Sequence, residues 1–510
     1  KNIKTSLGNQ SDWSLNAFAA SNNGFREQSG YDQQKLKMRS EFQFRSWKAS
    51  LNMTLTNLNQ ETAGYITGLN SYKDSNLNRR NLNPEAFRDA NSQRLSLSLK
   101  RDEENGISIL SPYIRKNDMQ FLQHFLPGTP VEENSHSSFG LLFKRLIKFE
   151  NYALTTGLQI EMAEAELIET QANALTTSSA FNNATRPQGK HYDYEVDSEV
   201  YAVFVGLEDL YVSDELLFYS DLRAESIKYD YNNRMNNGNT REDGSNCGFG
   251  GCYYSRPEDR SDTYNELSAR AGIATDYDVL NYFFQTSLGF RPPQINEAYR
   301  LQKKQSVSDL DSEKLTMIEI GTSFNLENIN GSISIYKSKK RNSIFRDSEN
   351  FVIDNGITNH KGVELTLNMN ISERSYLISN FTYGDHKYGF NSDTSMREKI
   401  RIGNKIDTAP KLMANAIFNT AINDDLSFAF ELERMDSYYT DAANLHEYEG
   451  HTLLHFRSDL NYSEKLKLFL RVDNLTDKEY AERADFNAFG GDRYFPGLPR
   501  ETYVGFEYSL

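Results

Sequence analysis

Two cysteines in a glycine-rich stretch are the first residues whose type and spacing could support chemistry. Cys247 and Cys252 occur in the segment Asn-Cys-Gly-Phe-Gly-Gly-Cys, and the sequence has 2 cysteines in all. Because glycines let such a short loop close, we interpret the pair as a disulfide formed in an oxidising compartment. A zinc site and two free thiols are the alternatives. Zinc takes about four ligands, and no second Cys or His pair lies nearby in the sequence.

Aromatic and basic residues form clusters in three polar stretches. An aromatic face stacks on planar ligand groups, whereas arginine and histidine pair with carboxylates and anionic chelates. On these grounds the candidate ligand-binding residues are Tyr253, Tyr254, Arg256, Tyr438, Tyr439, His446, Arg493 and Tyr494.

Catalytic and metal-binding patterns find little support. The sequence contains no Gly-x-Ser-x-Gly, His-Glu-x-x-His or Gly-x-Gly-x-x-Gly segment, the usual signs of a nucleophile, a zinc protease or a nucleotide site. His451 and His455 would lie about 13 Å apart in a strand, too far to share one ion. A net charge of −15 disfavours nucleic acid as a partner. We therefore expect no enzyme, no resident cofactor and no metal site.

The chain that carries these residues is long, polar and rich in aromatic side chains. The sequence has 510 residues, of which 38% are hydrophobic and 12% aromatic. The aromatic content argues against disorder. No stretch approaches the roughly 18 consecutive apolar residues that a transmembrane helix needs. The composition suits a membrane β-barrel, in which half of each strand faces a water-filled lumen, but also a soluble all-β protein.

Apolar and polar residues alternate with a period of two along most of the chain. A strand places successive side chains on opposite faces, so each run has one apolar and one mostly polar side. Clear examples are Ala49–Leu55, Leu95–Leu99, Val363–Ile371 and Leu466–Val472. Such runs predict about 20 strands, with Lys1–Leu7 as part of one more. The last run, Val504–Leu510, suits a strand that closes a barrel.

The connections between these runs are alternately short and long. Short ones include Asp102–Gly106, Ser372–Arg374 and Ser463–Lys465, and long ones include Asn57–Ala90, Met162–Lys190, Asp230–Ser261, Pro292–Lys314, His386–Pro410 and Ala481–Pro499. Outer-membrane barrels show this asymmetry. We therefore predict an all-β fold, a large antiparallel transmembrane β-barrel of about 20–22 strands with short periplasmic turns and long extracellular loops. In such a barrel the candidate aromatic residues have an alternative role in the interfacial girdle.

A series of short segments in the second half of the chain is more specific evidence of the protein's class than the alternation of residues or the lengths of the connections. They are Phe290-Arg-Pro-Pro-Gln-Ile-Asn-Glu297, Leu310-Asp-Ser-Glu313 with Glu319-Ile-Gly321, Asn359-His-Lys-Gly-Val-Glu364, Arg471-Val-Asp-Asn-Leu-Thr-Asp-Lys-Glu-Tyr480 and Tyr494-Phe-Pro-Gly-Leu-Pro-Arg500. In this order, the segments resemble the motifs of the TonB-dependent outer-membrane receptors. The first half of the chain matches that family by pattern more than by motif.

The resemblance also shows two departures from the family pattern. The family's final residue is usually aromatic, whereas this sequence ends in Leu510 and keeps an aromatic residue at Tyr508. The family's barrel is filled by an N-terminal plug, preceded by a short box that engages TonB, and neither is found here. We therefore expect residues 1–510 to be the transmembrane β-barrel domain, with the plug and the first hairpin upstream of this numbering.

The resemblance implies a function and a set of partners. It implies a multi-pass receptor of a Gram-negative cell outer membrane, which imports a ferric siderophore by TonB-coupled active transport. Cobalamin or another organic nutrient or cofactor, and a plugless passive porin, are the alternatives. The implied partners are the TonB complex through the missing plug segment, outer-membrane lipid including lipopolysaccharide, and a small-molecule nutrient. The barrel itself is expected to be a monomer.

Overall fold

A computed structural model describes nearly the whole chain, in the ranges 2–9, 12–302, 305, 309–346, 352–393, 399–488 and 490–509. The first half of the chain contains β1 (Asn2–Asn9), β2 (Trp13–Asn22), β3 (Tyr31–Phe44), β4 (Trp47–Glu61), β5 (Ile66–Thr67), β6 (Phe87–Glu103), β7 (Gly106–Leu122), β8 (Val131–Lys148), β9 (Ala153–Gln171), β10 (Gly189–Ser213), β11 (Leu216–Asn233) and β12 (Tyr254–Ser255).

The second half contains the remaining strands. They are β13 (Arg260–Thr275), β14 (Leu280–Arg291), β15 (Leu301–Gln302), β16 (Glu313–Asn325), β17 (Ile329–Arg346), β18 (Val352–Ser372), β19 (Ser375–Tyr388), β20 (Leu412–Ala421), β21 (Leu426–Met435), β22 (Tyr438–Tyr439), β23 (Glu447–Tyr448), β24 (His451–Ser463), β25 (Leu466–Asp473), β26 (Ala481–Asn487), β27 (Gly491–Pro496) and β28 (Glu501–Tyr508). The predicted end of the last strand, Leu510, lies outside the described residues.

Most of the strands form one continuous antiparallel wall. The large sheet has 21 strands, and each wall strand pairs with the next along the chain, as β3 does with β4 and β17 with β18. The short strands β5, β12, β15, β22, β23, β26 and β27 form three small sheets outside it. The predicted all-β fold with about 20–22 strands is therefore confirmed.

One face of the wall is apolar and exposed. In β16, Ile318 and Ile320 are 54% and 56% exposed, and in β17 Ile335 is 56% exposed. The register sets Ile320 beside Ile335, and Ile335 beside Val363 of β18, so these side chains share a face. An exposed apolar face suits contact with lipid. We call it the outward face and the polar face, which carries Glu319, the lumen face.

The connections alternate in length around the wall, as predicted. Two residues join β10 to β11 and two join β18 to β19, whereas long segments join β4 to β6 and β11 to β13. All the long connections therefore lie at one end of the wall. Within the described residues, no helix is both long and apolar enough to cross a membrane. In the part of the chain that the structure describes, the helices are the six-residue α1 (Ala180–Thr185), the four-residue α2 (Ile295–Ala298) and the 3₁₀ turn Ser71–Lys73.

The strands extend further toward the long connections than the sequence predicted. A strand was predicted to end at Met162, but β9 continues to Gln171. Another was predicted to end at Asn57, but β4 continues to Glu61. The predicted connection Ala481–Pro499 also contains β26 and β27. About 9–11 residues of a strand cross a membrane. Beyond that height the outward face meets water and becomes polar, as at Glu164 and Glu166 of β9, while the backbone ladder continues.

The first and last strands of the wall run in the same direction. An antiparallel series of 21 strands, from β1 to β28, makes its two ends parallel. Across the described ranges no backbone ladder joins β1 to β28. Direct closure of the wall in antiparallel order requires an even number of strands.

Candidate functional site

The long connections and the strand ends beside them form a packed layer, which we call the crown. It comprises the described residues of 23–30, 62–86, 123–130, 172–188, 234–259, 292–312, 389–411, 436–450 and 474–500 with the adjoining strand ends. All eight candidate ligand-binding residues lie in it. Side chains of the crown pack into separate buried clusters, so each candidate must be judged by its contacts.

The first cluster joins three long connections through aromatic rings. Tyr231 at the end of β11 stacks on Tyr299, which follows α2, with ring centroids 4.5 Å apart. Tyr194 of β10 packs against Tyr231 at 5.3 Å. Tyr254 of β12 lies 4.5 Å from the His191 ring. The β9–β10, β11–β13 and β14–β16 connections are thereby held together.

A buried ionic network lies beneath this cluster. The Arg300 guanidinium donates to Glu132 at 2.8 Å and also pairs with Glu169. The Gln123 amide donates to the same two carboxylates, at 2.8 and 3.1 Å. His191 Nδ1 lies 2.9 Å from Glu169 Oε1. Two buried carboxylates are stable here because one guanidinium and one amide bridge them.

The network strongly favours the ionised form of the Glu169 carboxyl. Burial by itself would raise the pKa of the Glu169 carboxyl, but Arg300 and then His191 lower that pKa to about 2. The Glu169 side chain is 4% exposed. The Glu169 carboxyl therefore remains ionised at any physiological pH.

The predicted cysteine pair lies against the first cluster. Cys247 and Cys252 form a disulfide with their Cα atoms 4.8 Å apart, and both are buried. Nearby, the Arg256 guanidinium donates to the backbone carbonyls of Asn236, His191 and Thr240 at 2.6, 2.9 and 2.8 Å. Arg256 is 2% exposed. It therefore fastens the β11–β13 connection and does not reach an external ligand.

The second cluster joins the β4–β6, β21–β24 and β25–β28 connections. Tyr72 packs against Tyr494 at 4.9 Å and against Tyr448 at 5.6 Å between ring centroids. Tyr438 packs against Tyr448 at 5.3 Å. The Tyr448 hydroxyl accepts from the Ala481 backbone N–H at 3.0 Å and lies 2.9 Å from His451 Nδ1. These tyrosines hold loops to each other.

A three-stranded sheet on this cluster has an open face. Strand β27 pairs with β26 and with β5, which sets Tyr494 beside Ala484 and Ile66 on the packed face. On the other face the Arg493 guanidinium lies 4.7 Å from the Tyr65 ring, and the Arg483 guanidinium lies 5.5 Å from the Phe495 ring.

The open face alternates rings and cations. Tyr65 and Phe495 contact edge to face, with centroids 6.2 Å apart. Arg483 Nη2 lies 2.9 Å from Asp485 Oδ2, and Arg493 pairs with the same carboxylate. Two guanidiniums share one carboxylate, so the face keeps a positive charge. We call Tyr65, Arg483, Arg493 and Phe495 the open face. Such a surface can stack on a planar group and pair with an anion.

Three other candidates are half-buried. The Tyr253 ring lies 4.4 Å from the Arg186 guanidinium and 6.0 Å from Phe181, which is 39% exposed. Tyr439 lines a narrow cleft that also includes Lys405. His446 stacks on Phe486 at 3.8 Å, and its Nδ1 lies 3.2 Å from Asp492.

Three pairs of candidate residues are adjacent in the sequence, and in each pair the structure buries one residue and leaves the other partly exposed. Tyr254, Tyr438 and Tyr494 are buried, whereas their neighbours Tyr253, Tyr439 and Arg493 are not. The reason is that consecutive residues of an extended chain point to opposite faces. The candidates also form two groups, one around the disulfide and one around the second cluster. Sequence reasoning missed Tyr65, Arg483 and Phe495, although the alternation of β26 and β27 could have placed Arg483 and Phe495 on one face with Arg493.

Acidic groups offer a weak metal site. Within the described ranges, Glu164, Glu166 and Glu195 have carboxylate oxygens within 4.8 Å of one another. Arg234 already pairs with Glu166 at 2.7 Å and with Glu195. The arginine supplies the positive charge that a cation would supply.

Comparison with known proteins identifies the wall. A family model described as TonB dependent receptor-like, beta-barrel, matches residues 3–475. The chain belongs to that family. It is a family of outer-membrane transport receptors, which agrees with the expected localisation, and it is not a family of enzymes.

Individual members of the family are distant in sequence. The probable TonB-dependent siderophore receptor PiuA of Acinetobacter baumannii is 25% identical over 182 residues, which cover 34% of this chain and 24% of that protein. The solved structure of PiuA has a TM-score of 0.77 at 14% identity, covering 99% of this chain and 79% of that one.

Two further solved structures share the fold. The ferric yersiniabactin uptake receptor FyuA of Yersinia pestis has a TM-score of 0.77 at 13% identity, covering 99% of this chain and 76% of that chain. The copper transporter OprC has a TM-score of 0.76 at 13% identity, covering 100% and 78%. At such identities the likeness concerns the fold.

Proposed function

We propose that this receptor imports a ferric siderophore across the outer membrane, with energy delivered by the TonB complex. The observation that carries the proposal is the match of residues 3–475 to the receptor barrel family. PiuA, a probable siderophore receptor, and FyuA, a ferric yersiniabactin uptake receptor, favour an iron chelate over cobalamin. A passive porin is disfavoured because the crown is packed into buried clusters.

The open face is the proposed contact for the ligand. Tyr65 and Phe495 present aromatic rings and Arg483 is 64% exposed at its side chain. Iron chelators of the siderophore type carry planar or anionic oxygen groups around the metal. Rings stack on the first and guanidiniums pair with the second. Tyr253, Tyr439 and His446 are the secondary contacts in this proposal, and the buried candidates hold the loops that carry them.

The complete receptor, in this proposal, has a further strand and a plug. A wall of 21 strands has parallel end strands, and one more antiparallel strand would pair with both β1 and β28. A plug inside the lumen would contact TonB and would move when TonB pulls on it. Residues 1–510 then correspond to the barrel domain.

The test is growth of an iron-starved, receptor-deficient Gram-negative strain that expresses the complete gene. A panel of ferric siderophores is supplied singly, with cobalamin in parallel. We expect one siderophore to rescue growth, and rescue to disappear when TonB is deleted. Rescue that survives TonB deletion would indicate a passive porin. Failure of every iron source, with the barrel correctly inserted, would contradict the assignment of iron as cargo.

A further inference from the structure

The outward face of β17, β18 and β19 changes from apolar to basic at one level. The register aligns Ile335, Val363 and Tyr383 across the three strands. Ile335 is 56% exposed and Tyr383 is 47% exposed. This is the last apolar row before the long connections, and an exposed tyrosine at the end of an apolar face is typical of a membrane interface.

The next two rows toward the crown carry lysines. Two residues further, Lys337 lies beside Lys361, and Lys361 lies beside Asp385. Two residues beyond these, Lys339 and Lys387 flank Asn359. Because side chains alternate along a strand, all of these residues share the outward face with Ile335.

A single carboxylate serves three of the lysines. Asp385 lies 3.7 Å from Lys361 Nζ and 3.2 Å from Lys387 Nζ, and it also pairs with Lys405. The Lys361 side chain is 67% exposed, whereas that of Asp385 is 14% exposed. One partly buried anion therefore gathers three cations and leaves their combined charge largely uncompensated.

Among the described residues, the remaining cations of the face have no carboxylate partner. Lys337 and Arg341 are exposed and Lys339 is half-buried. Across the residues that the structure describes, none of the three has a carboxylate within ion-pair distance. We call Lys337, Lys339, Arg341, Lys361 and Lys387 the basic patch. It has a clear surplus of positive charge in a chain whose net charge is −15.

The lower lysine row, Lys337 and Lys361, lies at the height of lipid headgroups, and the upper row lies just above it. Two residues of a tilted strand rise by about 5 Å, so the lysine rows lie roughly 5 and 10 Å above the last apolar row. The headgroup layer of a bilayer occupies about 5–8 Å beyond the hydrocarbon on each side. Basic residues at this depth attract anionic headgroups.

At the same height, another part of the wall carries acidic side chains on its outward face. On β9 and β10 the register aligns Ile160 with Tyr201, and the next outward rows hold Glu199, Glu164 and Asp197. A basic row is therefore not a general property of this wall.

We infer that the basic patch binds the phosphate groups of lipid A, the anchor of lipopolysaccharide in the outer leaflet. The inference rests on the outer-membrane placement of the receptor, and it is independent of which nutrient is imported. The lysines pair with the phosphates while the acyl chains lie along Ile335, Val363 and Tyr383. Charge, height and the adjoining apolar rows together fit an amphipathic anion.

The test compares lipid retention by the purified receptor and by a triple variant, Lys337→Gln, Lys361→Gln and Lys387→Gln. The probes are detergent micelles containing lipid A with its phosphates, lipid A stripped of phosphates, and inorganic phosphate alone. Binding is read by native mass spectrometry. We expect the wild type to prefer phosphorylated lipid A, and the triple variant to bind it roughly 100-fold more weakly.

A matched control removes outward lysines elsewhere. Lys116→Gln with Lys228→Gln removes lysines that pair with Asp118 and Asp230 at 3.7 and 2.6 Å, and it should leave lipid A binding unchanged. Equal binding by the triple variant, equal binding of lipid A without phosphates, or binding of inorganic phosphate alone as tightly as lipid A would each overturn the inference. Heat-modifiable migration of the variants checks insertion, and growth on the siderophore panel reports import separately.

Discussion

The wall and the crown are stabilised in opposite ways. The wall exposes its apolar side chains, such as Ile320 at 56%, and its ladders run without a side-chain core. The crown buries tyrosines and charges, such as Tyr448 at 1% and Glu169 at 3%. Lipid can cover the apolar side chains of the wall, whereas water surrounds the crown. The crown therefore needs side-chain cores of the kind found in soluble proteins, and these cores take up many aromatic residues that could otherwise contact a ligand.

The largest expected effect comes from removing the charge at the centre of the crown. Arg300→Met leaves Glu132 and Glu169 buried without their guanidinium. Loss of one partner of a buried ion pair typically costs about 3–5 kcal/mol. We expect faster hydrogen exchange and proteolysis in the β7–β8, β9–β10 and β14–β16 connections, with unchanged exchange in the wall. Arg500→Met is the control, because its pair with Asp477 is exposed and 3.9 Å long.

Acid should weaken the crown through the same network. Because the pKa of Glu169 falls from an ordinary 4.5 to about 2 on folding, its ionised form stabilises the crown above pH 4.5. That contribution, roughly 3 kcal/mol, is lost as the pH falls from 4.5 to 2. Proteolysis of the crown should accelerate over this interval. The pH dependence should largely vanish in Arg300→Met, and an unchanged dependence in that variant would contradict the assignment to Glu169.

A charge on the outward face tests the wall. Ile320→Arg places a guanidinium against lipid and should lower the free energy of unfolding by about 2–4 kcal/mol. The matched control is Ser323→Arg, on the lumen face of the same strand, where water can solvate the charge. Unfolding by urea from lipid vesicles measures both. Equal destabilisation by the two variants would mean that the two faces have been assigned incorrectly.

A smaller effect is expected from a substitution in the second cluster. Tyr448→Phe removes the hydroxyl that contacts the Ala481 N–H and His451 Nδ1. Leaving such buried groups unpaired costs about 1–3 kcal/mol. We expect increased exchange in the β25–β28 connection only. Tyr462→Phe, which alters a residue that is 70% exposed near a short turn, should change nothing measurable.

The wall was largely predictable because its pattern is local. A period of two needs only the residue and its neighbours, and Val363–Ile371 and Leu466–Val472 lie in strands as predicted. Strand ends beyond the membrane were missed because the outward face becomes polar there, as at Glu164 and Glu166 of β9.

The crown was not predictable in the same way. Its contacts join residues far apart in the chain, such as Tyr72 with Tyr448 and Arg300 with Glu132. Residue type identified Tyr438 and Tyr494 as candidates for stacking on a ligand, but each of these tyrosines packs against another tyrosine of the protein. Only the alternation within β27, which separates Arg493 from Tyr494, could have indicated which neighbour remains open.

The most direct test of the account is uptake of radiolabelled iron as its ferric siderophore by cells that express the complete receptor. Wild type is compared with the open-face variant Arg483→Ala with Phe495→Ala, and with Tyr462→Phe as control. We predict saturable, TonB-dependent uptake in wild type and control, and a higher half-saturation concentration in the open-face variant at equal surface expression. Uptake that is absent in wild type for every ferric chelate, or unaltered in the open-face variant, would contradict the account.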